Sequence, residues 1–298
     1  MGLQGEEYYQ KIEQIASGGC AMIIIGDVPV LPTRFGQSLY SKKITPQQLR
    51  PLLNEQVSPY ITNMPVKKIK KITNAFGEAA VLAQKAGFDM VQVHGDRMCG
   101  SFSSTVFNHR TDEYGGCIEN RLRFATEAVS AIRSKLPDYP IDYKLAVRQE
   151  DPHYGNAGVR TDELAVCVPL LEKVGVTSFH VALTNHSDLQ DTIPSAKHPY
   201  FAEEGCFLKF CDLVRQYTSL PVCGVGGLAH PEFVEQQLKD GRIQCAAMSR
   251  QLVADPQWVN KIAAGNAEKI HICVRCNKRC LGGMMEHKGV HCIYEGKD

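Results

Sequence analysis

The stretch MVQVHGDRMCGSFSSTVFNHRTDEYGGCIENRLRF, residues 90–124, decides the fold of this chain. It begins with an apolar, β-forming run at residues 90–93, which predicts a strand. The sequence His-Gly-Asp-Arg follows at once at residues 94–97 and places three ionisable groups within four positions. Because ligands bind at the carboxyl ends of the strands in parallel α/β folds, we expect these side chains to belong to a functional site.

Apolar runs that predict strands alternate along the chain with segments of helical periodicity. The expected strands are residues 20–25, 90–94, 141–147, 177–183, 221–225 and 245–248. The expected helices are residues 5–17, 45–57, 66–86, 119–136, 161–173, 206–217 and 231–239. This alternation predicts a parallel sheet with right-handed crossovers, and a closed barrel of this class needs eight strands rather than six.

Length and composition fit one large α/β domain. The chain has 298 residues, of which 44% are hydrophobic, and this is enough for a sizeable core. Its 33 basic residues are balanced by 32 acidic ones, which indicates neither a nucleic-acid-binding surface nor a membrane-binding one. The N-terminal sequence lacks the apolar segment of a signal peptide, and no apolar run approaches the roughly 18 residues of a membrane helix. We therefore expect a cytoplasmic protein.

The segment RTDEYGG-x-x-ENR-x-RF, residues 110–124, resembles the signature of the Old Yellow Enzyme superfamily, and within it the NADH:flavin oxidoreductases and 2,4-dienoyl-CoA reductases. The resemblance implies an FMN-dependent, TIM-type (β/α)8 barrel that reduces activated C=C bonds. It covers nearly the whole chain, but the family's first and third strands are missing. We therefore expect an incomplete FMN-binding barrel at residues 1–267, truncated at the N-terminus and with an internal deletion near residues 57–58.

The sequence HGDRMCGSFSS at residues 94–104 departs from the family pattern. It lacks the second His or Asn three residues after the strand-end His, and the Gly-Tyr proton donor that follows. This variant resembles the bilirubin reductases of gut bacteria. It implies a flavin-dependent ene-reductase that reduces methine C=C bonds of a linear tetrapyrrole, as in the conversion of bilirubin to urobilinogen. Two alternatives remain open: a 2,4-dienoyl-CoA or enoate reductase, and a non-catalytic Fe–S-binding remnant that has lost FMN.

Four side chains are candidates for the chemistry on the substrate. Asp96, if buried, can hold a proton and act as the acid, although a solvated ion pair with Arg97 is the plainer interpretation. Arg97 does not donate a proton, but it can bind a propionate carboxylate or polarise a lactam carbonyl. His186 aligns with a family His that protonates or orients the substrate, although a lone His is more often structural. Cys99, near the usual Tyr position, is a weaker acid candidate.

The resemblance also implies a flavin site. Lys144 aligns with the family cation beside flavin N1, with Arg148 as the fallback, and a solvated strand-end Lys is the alternative. A glycine turn at residues 226–227 and the pair Ser249–Arg250 resemble the family's closing pattern, in which the Arg binds the FMN phosphate. The cofactor-binding candidates are His94, Lys144, Arg148, Gly226, Gly227, Ser249 and Arg250.

Twelve cysteines in a cytosolic chain favour metal or cluster binding over disulfides. Four of them follow the pattern C-x2-C-x3-C-x11-C, namely Cys273, Cys276, Cys280 and Cys292. This spacing suits a [4Fe–4S] cluster and resembles the cluster motif of the dienoyl-CoA reductases, with a structural zinc site as the alternative. We expect residues 268–298 to form this cluster-binding segment.

The electron source is expected to lie outside the chain. No G-x-G-x-x-G sequence, the fingerprint of a dinucleotide-binding domain, occurs in it. Electrons are therefore expected from a separate donor protein of the flavodoxin or ferredoxin type, or from NAD(P)H directly at FMN.

Overall fold

The computed structural model of the protein describes residues 6–26, 55–149, 155–186, 188–286 and 288–296. The helix start predicted at Thr45 and Pro46 lies outside these residues. Within the described ranges, no helix combines the length and the apolar character that crossing a bilayer requires.

A parallel sheet forms the framework of the molecule. Its strands are β1 Val91–His94, β2 Ile141–Arg148, β3 Val159–Arg160, β4 Ser178–Leu183, β5 Val222–Gly224 and β6 Cys245–Ala246. The strands pair in the order β1-β2-β4-β5-β6, and the short β3 pairs with the carboxyl end of β2. In the described residues β1 pairs only with β2 and β6 only with β5, so the sheet does not close into an eight-stranded barrel there. The expectation of a parallel α/β fold is confirmed.

Helices follow the strands, as the sequence pattern predicts. They are α1 Glu6–Ser17, α2 Val66–Lys85, α3 Met98–Ser103, α4 Ile118–Lys135, α5 Leu164–Lys173, α6 Leu189–Thr192, α7 Leu208–Val214, α8 Pro231–Lys239, α9 Arg250–Ala254, α10 Trp258–Ala263 and α11 Leu281–Met285. Short 3-10 turns occupy Thr161–Glu163 and Ala267–Lys269. Residues 55–62 are also helical, so the helix expected to end near residue 57 continues to residue 62.

The strand predicted at residues 20–25 is wrong. These residues are irregular in the structure, and Met22, Ile24 and Ile25 are exposed. An apolar run becomes a strand only beside a partner that accepts and donates its backbone hydrogen bonds. Among the described residues no neighbouring strand lies on either side of this segment, and the sixth strand is instead β3, which no sequence pattern predicted.

The two faces of β2 differ in character. Tyr143, Leu145 and Val147 point to the helix-covered face and belong to the main hydrophobic core. Asp142, Lys144 and the other residues at even positions point to the opposite face, since successive strand residues alternate. In a barrel this second face is the interior, so the polar side chains of β2 line the inside of the curved sheet.

The signature segment at residues 110–124 ties the helices together. The buried Arg110 donates from Nη1 to the carbonyl oxygens of Ile61 and Met64 at 2.8 and 2.7 Å, and from Nε to Asp112 at 2.9 Å. The guanidinium therefore joins the loop before α4 to the residues that precede α2.

This segment and Asn108, which precedes it, also fix α3, the helix that follows the His-Gly-Asp-Arg sequence. Asn108 donates to the carbonyl oxygens of Phe102 and Tyr114, and Arg121 donates from Nε to Ser103 O at 2.9 Å. The Phe102 ring stacks on Phe124 with centroids 4.5 Å apart. The signature thus acts through the scaffold, since it anchors the carboxyl end of α3.

Candidate active site

A row of titratable side chains crosses the sheet. The parallel register pairs His94 with Lys144, Lys144 with His180, His180 with Cys223, and Cys223 with Cys245. Residues in register on neighbouring strands point to the same face, so these five side chains lie side by side. Barrel interiors are usually filled by branched apolar residues, and this polar row therefore indicates a functional surface.

Asp96 is the centre of the hydrogen bonds at the end of β1. Its carboxylate is only 4% exposed and pairs through Oδ1 with Nδ1 of His94. Oδ2 accepts a hydrogen bond of 3.2 Å from the Thr184 hydroxyl, which follows β4. The Arg97 Nε lies 3.6 Å from Oδ1, while the Arg97 side chain is 54% exposed. The structure therefore brings together the predicted residues His94, Asp96 and Arg97.

The charges around Asp96 argue against its predicted role as the proton donor. Burial on its own raises the pKa of the Asp96 carboxyl. The hydrogen bond and charge of His94, with the charges of Arg97 and Lys144, outweigh burial and hold this pKa well below its usual range. Asp96 is therefore a carboxylate at neutral pH, surrounded by the cationic groups of His94, Arg97 and Lys144.

The turn after β1 requires close contact between two backbones. The Gly95 amide donates to the carbonyl oxygen of Lys144 at 3.0 Å. A Cβ atom at residue 95 would lie 2.2 Å from that oxygen, so a larger residue does not fit without a shift of the chain. The glycine thereby lets the chain turn beside β2 and places Asp96 next to Lys144.

Cys99 is too deeply buried for the predicted role of acid. Its side chain is 1% exposed within α3 and is hydrogen-bonded to Tyr143 in the core. Burial raises the pKa of the Cys99 thiol to about 12. The thiol faces the helix-covered core, where a substrate does not reach it, so we interpret Cys99 as a packing residue.

The carboxyl ends of β2 and β4 add two further predicted residues. Arg148 is fully buried and donates from Nη2 to the Thr105 hydroxyl. His186 is buried and stacks on Phe107, with ring centroids 5.6 Å apart. The Asn156 side chain accepts a hydrogen bond of 2.7 Å from the His186 amide. Both side chains thus contact the loop that follows α3, and this loop holds the carboxyl ends of the two strands together.

A hydrogen-bonded network lies deeper in the sheet, and the sequence analysis missed it. The Asp142 carboxylate accepts hydrogen bonds of 2.6 Å from both Gln92 and Ser178. Gln92 Nε2 also lies 3.3 Å from Nδ1 of His180. Burial raises the pKa of Asp142, and burial lowers the pKa of His180 to about 4, with Lys144 and His94 lowering it further. The signal in the sequence was the placement of Asp142, Lys144 and Arg148 at alternating positions of β2, where Ala146 is the one apolar residue on that face.

A glycine turn after β5 forms the candidate phosphate site. Gly226 and Gly227 have φ angles of +134° and +71°, which favour glycine. Arg250, at the start of α9, donates from Nη1 to Pro194 O at 2.7 Å and to Asn277 Oδ1 at 2.8 Å. The predicted cation therefore contacts the cysteine-rich segment, a relationship that the sequence did not reveal. Ser249 immediately precedes α9 and is exposed.

The four clustered cysteines line one pocket, together with Arg250 and Asn277. The residues concerned are Cys273, Cys276, Cys280 and Cys292. The Cys273 amide donates to Gln251 Oε1 at 2.8 Å, which attaches the segment to α9. Burial raises the pKa of the Cys273 thiol, Arg250 lowers it, and Cys280 and Cys292 raise it. The cysteines therefore influence one another as near neighbours beside a cation.

The four thiols are candidates for either a single metal ion or a cluster. Among the residues described, no group of three or more His, Cys, Asp or Glu side chains is arranged to hold one metal ion. A zinc ion draws four sulfur atoms to about 2.3 Å from one centre, whereas each cysteine of a cubane cluster binds a different iron. The four thiols thus share a pocket, and among the described residues no assembled metal site is found.

Parallel strands with titratable side chains at their carboxyl ends define an enzyme of the α/β-barrel class. Residues 36–269 match the model of the NADH:flavin oxidoreductase / NADH oxidase family, and the chain belongs to this family.

Two relatives are named bilirubin reductase. The protein of Clostridium symbiosum (strain WAL-14163) is 57% identical over 342 residues, which cover 100% of this chain and 92% of the relative. The protein of Mediterraneibacter gnavus (strain CC55_001C) is 38% identical over 242 residues, covering 80% of this chain and 37% of the relative. The 342-residue alignment is longer than the 298-residue chain, so the Clostridium relative has residues within the matched region that this chain lacks.

Solved structures show the same fold. A 2-naphthoyl-CoA reductase matches with a TM-score of 0.66 and 24% identity, over 76% of this chain and 34% of that chain. Histamine dehydrogenase from Rhizobium sp. 4-9 matches with a TM-score of 0.65 and 25% identity, over 76% of this chain and 32% of that chain. The chain thus spans about a third of the length of these two proteins.

Proposed function

We propose that this chain is an FMN-dependent ene-reductase that reduces methine C=C bonds of a linear tetrapyrrole, in a bilirubin-to-urobilinogen type of reaction. The observation that carries the proposal is the 57% identity with a bilirubin reductase across the whole chain. The strand-end residues Asp96 and Arg97 support it, because they lie together where barrel enzymes bind their ligands.

The residues on the sheet fit a bound flavin. Lys144 lies on the interior face beside His94 and His180, where its charge favours an anionic reduced flavin ring. Arg148 adds a second cation farther along β2. The glycine turn at residues 226–227 and Arg250 are suited to the phosphate, because backbone amides and a guanidinium both bind anions. FMN supplies hydride transfer to the C=C bond when it is bound.

The substrate end of the site is assigned to Arg97 and His186. The Arg97 side chain is half exposed, and its guanidinium can bind a propionate of the tetrapyrrole. Asp96 contacts the Nε atom of the same guanidinium and so holds the side chain in place. Each reduced C=C bond gains one hydride and one proton. With Asp96 ionised and Cys99 in the core, the proton comes from the His186 imidazole or from water. Asp96 orients His94 and Arg97 and keeps cationic charge at the strand end.

Residues 268–298 are proposed to bind a [4Fe–4S] cluster through Cys273, Cys276, Cys280 and Cys292, and residues 1–267 to form the FMN-binding unit. The common pocket of the four thiols and their spacing in the sequence support the cluster, with a structural zinc site as the alternative. The length of the Clostridium alignment supports an internal deletion in this chain, and we propose that it lies near residues 57–58. A cluster beside the phosphate-binding Arg250 is suited to receive electrons from a separate flavodoxin-like or ferredoxin-like protein, with NAD(P)H as the alternative donor.

Two other functions have specific support. A cinnamate reductase of Clostridium sporogenes is 29% identical over 76% of this chain, which favours reduction of an enoate or dienoyl-CoA. The sheet that stays open in the described residues favours a non-catalytic remnant that binds the cluster without FMN.

The test is anaerobic purification of the chain, followed by its absorbance spectrum, extraction of the cofactor, and assays of iron and sulfide. We expect FMN together with iron and sulfide, and consumption of bilirubin when a chemical reductant supplies electrons. Turnover of cinnamate but not of bilirubin would favour the enoate reductase. Iron and sulfide without FMN would favour the remnant and overturn the proposed reaction.

A further inference from the structure

Arg275, between two of the clustered cysteines, has a backbone conformation that is unusual for its residue type. Its φ angle is +47°, and in the described part of the chain only Asn277 shares a positive φ among residues other than glycine. This conformation is strained for a residue with a long side chain. A residue held in such a conformation indicates that its side chain makes a useful contact.

The Arg275 side chain lies on the glycine turn of the candidate phosphate site. A Cβ atom placed on Gly227 would lie 2.8 Å from Arg275 Cδ and 2.9 Å from Nη1. Arg275 also donates from Nη1 to Glu203 O at 2.9 Å and from Nη2 to Ala202 O. These carbonyl oxygens fix the guanidinium against the turn. Because Gly227 has no Cβ atom, the Arg275 side chain has room to lie against the turn.

Arg250 provides a second positive charge in the same place. Its guanidinium is bonded to Pro194 O and to Asn277 of the segment that carries Arg275. Burial lowers the pKa of Arg250, the neighbouring cysteines raise it, and the nearby charge of Arg275 lowers it. Among the described residues, the hydrogen bonds of the two guanidinium groups go to neutral carbonyl and amide oxygens. An anion beside the glycine turn would therefore relieve the repulsion of two cations.

We propose that Arg275 is a second cationic ligand of the flavin phosphate, supplied from between the cysteines Cys273 and Cys276. This proposal rests on the proposed function, because it takes FMN as the anion. It also means that the cysteine-rich segment must be folded for tight FMN binding, and that a phosphate at the glycine turn stabilises this segment in return.

The test compares FMN with riboflavin, which has the same ring system and no phosphate. Dissociation constants are measured by quenching of flavin fluorescence in the cluster-containing chain after removal of its flavin. Arg275→Met should weaken FMN binding about 10- to 100-fold, as loss of a charged hydrogen bond does, and change riboflavin binding less than about twofold. Lys278→Met is the matched control, because it removes one exposed positive charge from the same segment.

Arg275→Gly separates the charge from the backbone. Glycine adopts a positive φ freely, so this variant keeps the fold of the segment while it removes the guanidinium. Its iron content should match that of the unchanged protein, and its preference for FMN over riboflavin should fall as in Arg275→Met. An unchanged FMN-to-riboflavin ratio in both variants would overturn the inference alone. If the unsubstituted protein binds no FMN, the proposed function is overturned as well.

Discussion

Lys144 on β2 stands in register with His180 on β4, so a cation lies directly beside an imidazole inside the sheet. Burial is the main reason that the pKa of His180 falls from 6.5 to about 4, and the charges of Lys144 and His94 lower it further. His180 is therefore neutral in the folded protein at pH values where the unfolded chain is protonated.

This difference makes the stability of the protein depend on pH. Between pH 4 and 6.5 the unfolded state binds more protons at His180 than the folded state does, so stability rises with pH in this window. His180→Gln should reduce the change in the free energy of unfolding between pH 7 and pH 5 by on the order of 1–2 kcal/mol. Urea unfolding at the two pH values measures it. His230→Gln, at an exposed His paired with Glu204, is the control. An equal pH dependence in the two variants would show that His180 is not the group responsible.

Asp96→Asn should lower tetrapyrrole reduction by about tenfold or more, because the amide does not hold the cationic groups of the site as a carboxylate does. The pKa of the Asp96 carboxyl lies far below its usual range, so Asp96 does not titrate between pH 5 and 8. We therefore expect the pH dependence of kcat in this range to keep its shape. Steady-state rates across this range check the prediction. If the substitution removes one limb of the pH profile, Asp96 is the proton donor after all.

Arg97→Ala should raise KM for the tetrapyrrole by about tenfold with a smaller effect on kcat, since the exposed guanidinium binds the substrate and does not transfer a proton. Arg97→Lys keeps the charge and loses the paired hydrogen-bond geometry, so its KM should lie between those of the other two proteins. Steady-state kinetics with bilirubin measure both values. Turnover and KM equal to those of the unchanged chain in Arg97→Ala would rule out this assignment.

Arg110→Met should destabilise the fold by about 2–4 kcal/mol, because the buried carbonyl oxygens of Ile61 and Met64 lose their hydrogen-bond donor. The matched substitution Lys239→Met breaks an exposed ion pair with Glu235 and should cost less than about 1 kcal/mol. Thermal unfolding followed by circular dichroism compares the variants. Equal midpoints would mean that the signature loop does not hold the helices together.

Cys245 should be the most reactive of the thiols outside the cysteine-rich segment. Its hydrogen bond with Cys223 lowers the pKa of Cys245 and raises that of Cys223, and Cys245 is exposed on the last strand of the sheet. Brief treatment with iodoacetamide at pH 7 should modify Cys245 before the other exposed thiol, Cys117. Peptide mass spectrometry reads the order of modification, and faster labelling of Cys117 would contradict the hydrogen-bonded arrangement.

The regular part of the fold could be predicted from local patterns. The helix Pro231–Lys239 was predicted with its observed bounds, because a Pro at its first position and a clear helical period mark it. The strand at residues 20–25 was predicted wrongly, because an apolar run carries no information on whether a partner strand is present. The helix Met98–Ser103 was missed, since its Gly and Ser residues favour a loop and tertiary contacts decide its conformation.

In the candidate site, too, the sequence predicts what depends on local position and misses what depends on contacts between distant residues. His94, Asp96 and Arg97 could be identified because they follow a strand directly, and the structure brings them together. Whether Asp96 is protonated depends on how many cations surround it in space, and its sequence position does not give this. Arg275 was overlooked because its contact with Gly227 joins residues that are distant in sequence.

The loop that carries the family signature makes contacts that hold helices and backbone carbonyls, while the ionisable groups of the site lie on other segments. The motif therefore belongs to the architecture, and a change in the chemistry at the strand ends does not require a change in this loop. For an engineer, residues 108–124 are positions to keep constant, while the short sequence after β1 is the place to vary.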